Sequence, residues 1–272
     1  MQGLSYFVPT QIKIQYINLL IKAGFHTLDF GSFVSPKAIP QMADTYNVLE
    51  GLDLQGSKTK LLAIVANQRG VEQACGYAAI SYLGFPLSVS ETFQQRNTNS
   101  GITEGLNLIK HALELCYLNE KELVVYLSMA FGNPYGDDYS VQMVSDYAGK
   151  IAGLGCTIIS LADTVGLATT SQIQHLGETI FTQFPEIEIG MHLHVNPDQA
   201  KDKIVAAINS GCKRIDTAIG GFGGCPFAED NLTGNMPTEI LLDYFGNNNI
   251  SHNINLEMFA EARRYLLQHV IQ

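Results

Sequence analysis

The 272-residue sequence is short of charge: only 15% of it is Asp, Glu, Lys or Arg, and no run of basic residues occurs. Its 26 acidic side chains outnumber the 16 basic ones, for a formal charge of −10. That balance leaves no electrostatic footprint for nucleic acid or for an anionic membrane surface. No stretch approaches the roughly 20 apolar residues that a membrane span needs. The opening MQGLSYFVPT has no basic segment with an apolar one behind it, so no secretory signal is read there. The five cysteines, at 75, 116, 156, 212 and 225, form no CxxC pair. An odd, scattered set argues against a disulfide framework or a structural zinc, and it fits a reducing cytoplasm. No Pro/Ser-rich linker or low-complexity segment divides the chain, which reads as one domain over 1–272.

What is present is a repeated pattern. Apolar, β-rich runs fall at 25–33, 60–66, 80–88, 122–130, 156–162, 188–194 and 213–219, with segments of helical character between them. One of these, QIKIQYINLLIKAG, carries apolar residues at 12, 14, 17, 20 and 21, close to a 3.6-residue period. Strands alternating with helices imply parallel pairing, because parallel neighbours need a crossover between them. No strand leads into a GxGxxG turn, which disfavours a dinucleotide-binding open sheet. The expectation is an α/β fold of the (β/α)₈ TIM-barrel type. Such a barrel needs eight strands, and the chain shows seven, its first element being a helix starting near Thr10. The first strand is therefore the one expected to be missing.

In a barrel of this kind chemistry gathers at the C-terminal ends of the strands. Asp29, Asp163, His192 and His194 fall there, and Cys225 and Asn235 lie in the loop region after the last run. His192 and His194 stand at i and i+2, so both imidazoles project to one side of a strand. They read either as ligands of a divalent metal or as hydrogen-bonded groups in a crowded barrel mouth. Cys225 sits among Gly220, Gly221, Gly223, Gly224 and Pro226, and is either a small packing residue or a thiol on a tight loop. Asp163 could cap the following helix, and Asn235 could serve a turn or offer an oxygen ligand. Asp29 is either an ion-pair partner or an acid/base group.

The segments GSFVSPKAIPQMADT (31–45), MAFGNPYGDD (129–138), ISLADTVG (159–166), MHLH (191–194), GFGGCPFA (221–228) and TGNMPTE (233–239) resemble hydroxymethylglutaryl-CoA lyase. The likeness runs in order from residue 2 to about 245. It implies a metal-dependent TIM-barrel enzyme that cleaves a 3-hydroxy-acyl-CoA by retro-aldol chemistry, giving acetyl-CoA and a keto acid, acetoacetate in the lyase itself. Carried over by position, it implies a metal ligand at His194, His192 close to the substrate or on the metal, and Asn235 beside them. It also implies a catalytic cysteine at Cys225 and a catalytic aspartate at Asp163. Asp29 stands where the family has a Glu that holds an essential Arg. Ser90, Glu91 and Asn97 fall in the family's SExF…N stretch without an assigned role. The implied cofactor is Mg²⁺ or Mn²⁺, the implied partner an acyl-CoA, and the assembly expected is a homodimer in the cytoplasm.

Two positions depart from the family: Val195 replaces the Asp that follows HxH, and Asp29 is one methylene short of Glu. The family's opening Arg-Asp-x-x-Gln is also lacking, and an ungapped count places Gln2 on its Gln. The expectation is that the natural protein starts about ten residues earlier, which would restore both strand and motif. The chain as it stands is then expected to bind metal weakly, turn over slowly and expose a strand edge. Alternatives are a related acyl-CoA lyase or synthase with another substrate, or a non-catalytic barrel with an incomplete metal site.

Overall fold

The computed structural model of the protein describes residues 1, 4–224 and 233–271. Its elements begin with α1 (Thr10–Ala23), β1 (Thr27–Ser32), α2 (Thr45–Glu50), β2 (Lys60–Ile64), α3 (Gln68–Cys75) and β3 (Ile80–Ser88). Next come α4 (Glu91–Thr98), α5 (Ile102–Leu118), β4 (Glu122–Ser128), α6 (Val141–Gly153), β5 (Ile158–Asp163) and α7 (Thr170–Gln183). The order ends with β6 (Glu188–Leu193), α8 (Ala200–Asn209), β7 (Arg214–Asp216), α9 (Thr238–Asn247) and α10 (Leu256–Tyr265).

Among the described residues seven strands form one sheet in the order β1 to β7, and every neighbouring pair is parallel. The sheet curls with helices outside it, a TIM-barrel-like α/β fold in which β1 and β7 are the edges among the described residues. The count matches the seven apolar runs of the sequence. The last run is the poorest match, because only Arg214–Asp216 of it is strand. Beyond Asp216 the backbone turns to another partner: Ala218 N donates to Met236 O at 2.9 Å, and Thr238 N to Ala218 O at 3.0 Å. The chain then turns sharply through Gly220, Gly221 and Gly223, all at positive φ.

Most of the core lies between the sheet and its helices. A second, small cluster fills the barrel interior, with Leu62, Tyr82, Val124 and Ile158 packed against Ile64 and Tyr126. Gly84 makes room for it, since a Cβ there would meet Ile64 Cδ1 at 2.7 Å and Tyr126 Cε2 at 3.0 Å. Helix α1 buries Lys13, Tyr16, Ile17, Ile21 and Ala23, a face rotated from the apolar stripe read in the sequence. Lys13 decides that rotation: its ammonium sits 2.6 Å from Asp44 Oδ1 and also donates to Gln41 O. A paired charge can be buried, so the lysine joins the inner face and Ile12, Ile14 and Leu20 are left half-buried.

Candidate active site

Register decides which side chains share the barrel interior. Ala162, His192 and Asp216 stand side by side across β5, β6 and β7, and Ser160, Gly190 and Arg214 form the row beneath them. Their side chains alternate with those facing the outer helices. A cavity of about 2320 Å³ opens on this interior, and its walls include Asp29, Tyr126, Ser128, His192, His194 and Asn235.

The two histidines are brought together as their spacing predicts. Their ring centroids are 5.3 Å apart and the two Nε2 atoms face each other at 3.3 Å. Each Nδ1 has its own partner. His194 Nδ1 lies 3.1 Å from Thr233 O, a carbonyl that can only accept, so Nδ1 carries the hydrogen. His192 Nδ1 lies 3.3 Å from Asp216 Oδ2, which favours the same tautomer. Burial, then the neighbouring His192, pushes the pKa of His194 down to about 3, so this imidazole is neutral over the working range of pH. Two ring nitrogens with their lone pairs turned toward one point fit a shared cation placed there.

Asn235 belongs to the same rim. It pairs with His194 in an isolated antiparallel bridge, and opposed residues of such a pair share a face. The segment is stitched to the end of β6, with Val195 N on Gly234 O at 2.8 Å and Met236 N on Leu193 O at 3.1 Å. Asn235 Nδ2 donates to Phe222 O at 3.1 Å, so its Oδ1 is the amide atom left to accept or ligate. Among the described residues no group of three or more His, Cys, Asp or Glu is spaced to hold a metal ion. The two imidazoles and the amide oxygen together offer a neutral N/O set of the kind that suits a divalent metal.

Asp29 reaches the cavity from β1, accessible from the cavity but with the cavity walls around it. That enclosure raises its carboxyl to about 7. The Met1 amino group and His192 pull it down, Asp216 pushes it further up, and a hydrogen bond from the Gly31 backbone lowers it. Asp163 is placed differently. It is 2% exposed and sits out of phase with Ser160 and Ala162, on the outer face of β5. Its Oδ2 accepts from Ala168 N at 3.1 Å and from Lys203 Nζ at 3.3 Å. Burial raises its pKa and Lys203 opposes the rise. Asp163 does not line the cavity. Nor does it cap α7, a task done by Thr169 and Gln172 in a reciprocal capping box.

Cys225 lies outside the described residues. Ser90 caps α4 through Phe93 N at 3.1 Å and donates to Asp137 Oδ2 at 2.5 Å, while Glu91 accepts from Ile102 N at 3.2 Å. Asn97 reaches the cavity wall. The reading of the sequence passed over Asp216, Tyr126 and Lys203. Asp216 was within its reach, since Arg214 and Asp216 repeat the i, i+2 spacing that drew attention to the histidines. Tyr126 sets its ring edge-on to His192 at 5.7 Å, and Lys203 is distant in sequence from the aspartate it meets.

The HMGL-like family model matches residues 1–266. The chain is 31% identical over 271 residues to the mouse mitochondrial hydroxymethylglutaryl-CoA lyase, covering 98% of this chain and 82% of that protein. It is 31% identical over 266 residues to the hydroxymethylglutaryl-CoA lyase YngG of Bacillus subtilis, with 98% and 88% covered. Among solved structures, the Bacillus subtilis HMG-CoA lyase superposes with a TM-score of 0.90 at 30% identity, over 97% of this chain and 88% of that one. An HMG-CoA lyase from Acinetobacter baumannii, solved with coenzyme A and 3-methylmalate, gives 0.89 at 28% identity, over 97% and 86%.

Proposed function

The chain belongs to the HMGL-like family, a family of lyases, and from that premise we propose that it cleaves a 3-hydroxy-acyl-CoA by retro-aldol chemistry. The substrate that the resemblance favours is hydroxymethylglutaryl-CoA, yielding acetyl-CoA and acetoacetate. The observation that carries the reading is the pair of imidazoles at the strand C-termini, with Nε2 atoms 3.3 Å apart and both Nδ1 atoms engaged elsewhere. The coenzyme A bound in the Acinetobacter relative supports an acyl-CoA as partner. The molecule works, on this reading, as one domain over 1–272, in the cytoplasm and as a homodimer. Among the described residues no helix is long and apolar enough to cross a membrane.

His192, His194 and Asn235 are the residues that would hold a divalent ion. Bound there, Mg²⁺ or Mn²⁺ would supply Lewis-acid polarisation of the substrate hydroxyl. Asp29 faces the same cavity with a carboxyl near 7, matched to exchanging a proton with that hydroxyl at neutral pH. As the carbon–carbon bond breaks, negative charge moves onto the thioester oxygen, and a proton must then reach the new carbanion. That delivery is assigned to Cys225 on the resemblance alone.

The test is a cleavage assay with hydroxymethylglutaryl-CoA and citramalyl-CoA, with and without added Mn²⁺. Metal-dependent release of acetyl-CoA supports the reading, and loss of it in His194→Ala ties it to this rim. Metal binding with no cleavage of either thioester would select a binding barrel instead.

A further inference from the structure

Asp216 is the group nearest His192 that no role above absorbs, and its surroundings are built rather than incidental. His192 and Asp216 are register partners on β6 and β7, so their side chains leave the sheet next to each other on the cavity side. Asp216 Oδ2 takes both His192 Nδ1 at 3.3 Å and Ser160 Oγ at 3.4 Å. Its other oxygen faces Arg214 Nε at 4.0 Å.

Arg214 is itself pinned. Its Nη1 donates to Glu188 Oε1 at 2.8 Å, and its stem lies across Gly190, where a Cβ would come within 3.1 Å of Arg214 Cδ. Tyr126 packs its ring edge against His192 and directs its hydroxyl to Arg214. The imidazole is thus confined by Asp216 at Nδ1, by Tyr126 at its ring, and by His194 at Nε2. Asp216 accepts a hydrogen and offers none, which favours Nδ1–H, whereas the lone pair on His194 Nε2 favours the other tautomer; the charged acceptor is the stronger of the two.

We infer that Asp216 is a positioning residue, which holds the hydrogen of His192 on Nδ1 and so keeps the Nε2 lone pair aimed at the point that His194 Nε2 also faces. A lone imidazole divides its hydrogen between two nitrogens and turns about two side-chain bonds. The carboxylate removes both freedoms, as carboxylate partners of ligating histidines do in general. Ser160 and Arg214 act one step further out by fixing the carboxylate. The inference deepens the lyase reading and rests on it only for its consequence to turnover. The tautomer itself belongs to the protein without metal.

The experiment is ¹⁵N NMR of the histidine-labelled, metal-free protein at pH 8, where neutral rings report their tautomer through the ring-nitrogen shifts. His192 is expected as the Nδ1–H form. In Asp216→Ala it should move to a mixture rich in Nε2–H, while His194 keeps its Nδ1–H form because Thr233 O is untouched. Mn²⁺ affinity, read by calorimetry, should fall roughly 10–100-fold in Asp216→Ala and return in part with Asp216→Glu. An Nε2–H His192 in the unaltered protein overturns the inference without recourse to any variant. So does Asp216→Ala with its His192 shifts and Mn²⁺ affinity unchanged. A protein that shows the tautomer change but cleaves no thioester overturns the lyase reading and leaves the role of Asp216 standing.

Discussion

Lys203 Nζ lies 3.3 Å from Asp163 Oδ2, with the two side chains 4% and 2% exposed, on the face of the sheet opposite the cavity. The same ammonium reaches Gly166 O at 3.3 Å and His194 O at 3.4 Å. It thereby ties the loop after β5 to the backbone at the end of β6. The pair supports the rim from behind, and its removal is expected to cost stability before it costs chemistry.

Lys203→Met tests that. Removing the cation strands a buried carboxylate, a loss of about 3–5 kcal/mol when one partner of a buried pair is taken away. Urea unfolding should show it as a lower midpoint, and Lys203→Met combined with Asp163→Leu should recover much of the loss. A single variant as stable as the parent would mean that the pair contributes nothing.

Asp29 makes a prediction in pH. Its folded carboxyl titrates at about 7 against an ordinary 3.8, so the folded chain holds a proton that the unfolded chain has released. The stability it lends is therefore present below 3.8 and is lost as pH rises toward 7. Asp29→Asn keeps the neutral form throughout. Its melting temperature should match the parent near pH 4 and exceed it by a margin that grows up to about pH 7. Parallel curves across that range would remove Asp29 as an enclosed carboxyl.

At the rim, His194→Ala should abolish calorimetrically detectable Mn²⁺ binding, and Asn235→Ala should weaken it by a smaller factor. The imidazole at 194 has its Nδ1 fixed by Thr233 O and its Nε2 directed at the shared point. Undiminished binding in His194→Ala would place any metal elsewhere.

Gly84→Ala probes the barrel interior. The added methyl would lie 2.7 Å from Ile64 Cδ1 and 3.0 Å from Tyr126 Cε2, so side chains must shift to admit it. Overpacking of this kind costs about 1–3 kcal/mol. A thermal melt indistinguishable from the parent would show the interior to be loosely filled.

Much of the fold was legible because alternating strands and helices leave few ways to bury their apolar faces. The i, i+2 spacing at 192 and 194 predicted converging rings, and they converge. The same rule applied to β5 separates Asp163 from Ser160 and Ala162. Which of those two sets faces inward could not be known until the register of Ala162 against His192 was seen. Asp216 escaped notice for the opposite reason: its spacing from Arg214 was plain, but its partner lies on the neighbouring strand.

The order of amino acids determined the parallel sheet, the seven strands and the inward pairing of two imidazoles, because these follow from periods of two and 3.6 along the chain. Tertiary structure alone decided that Asp163 meets Lys203 behind the sheet, that Asp216 meets His192 inside it, and that Asp29 titrates near 7. Those outcomes depend on register and enclosure, and both are set by segments far apart in sequence.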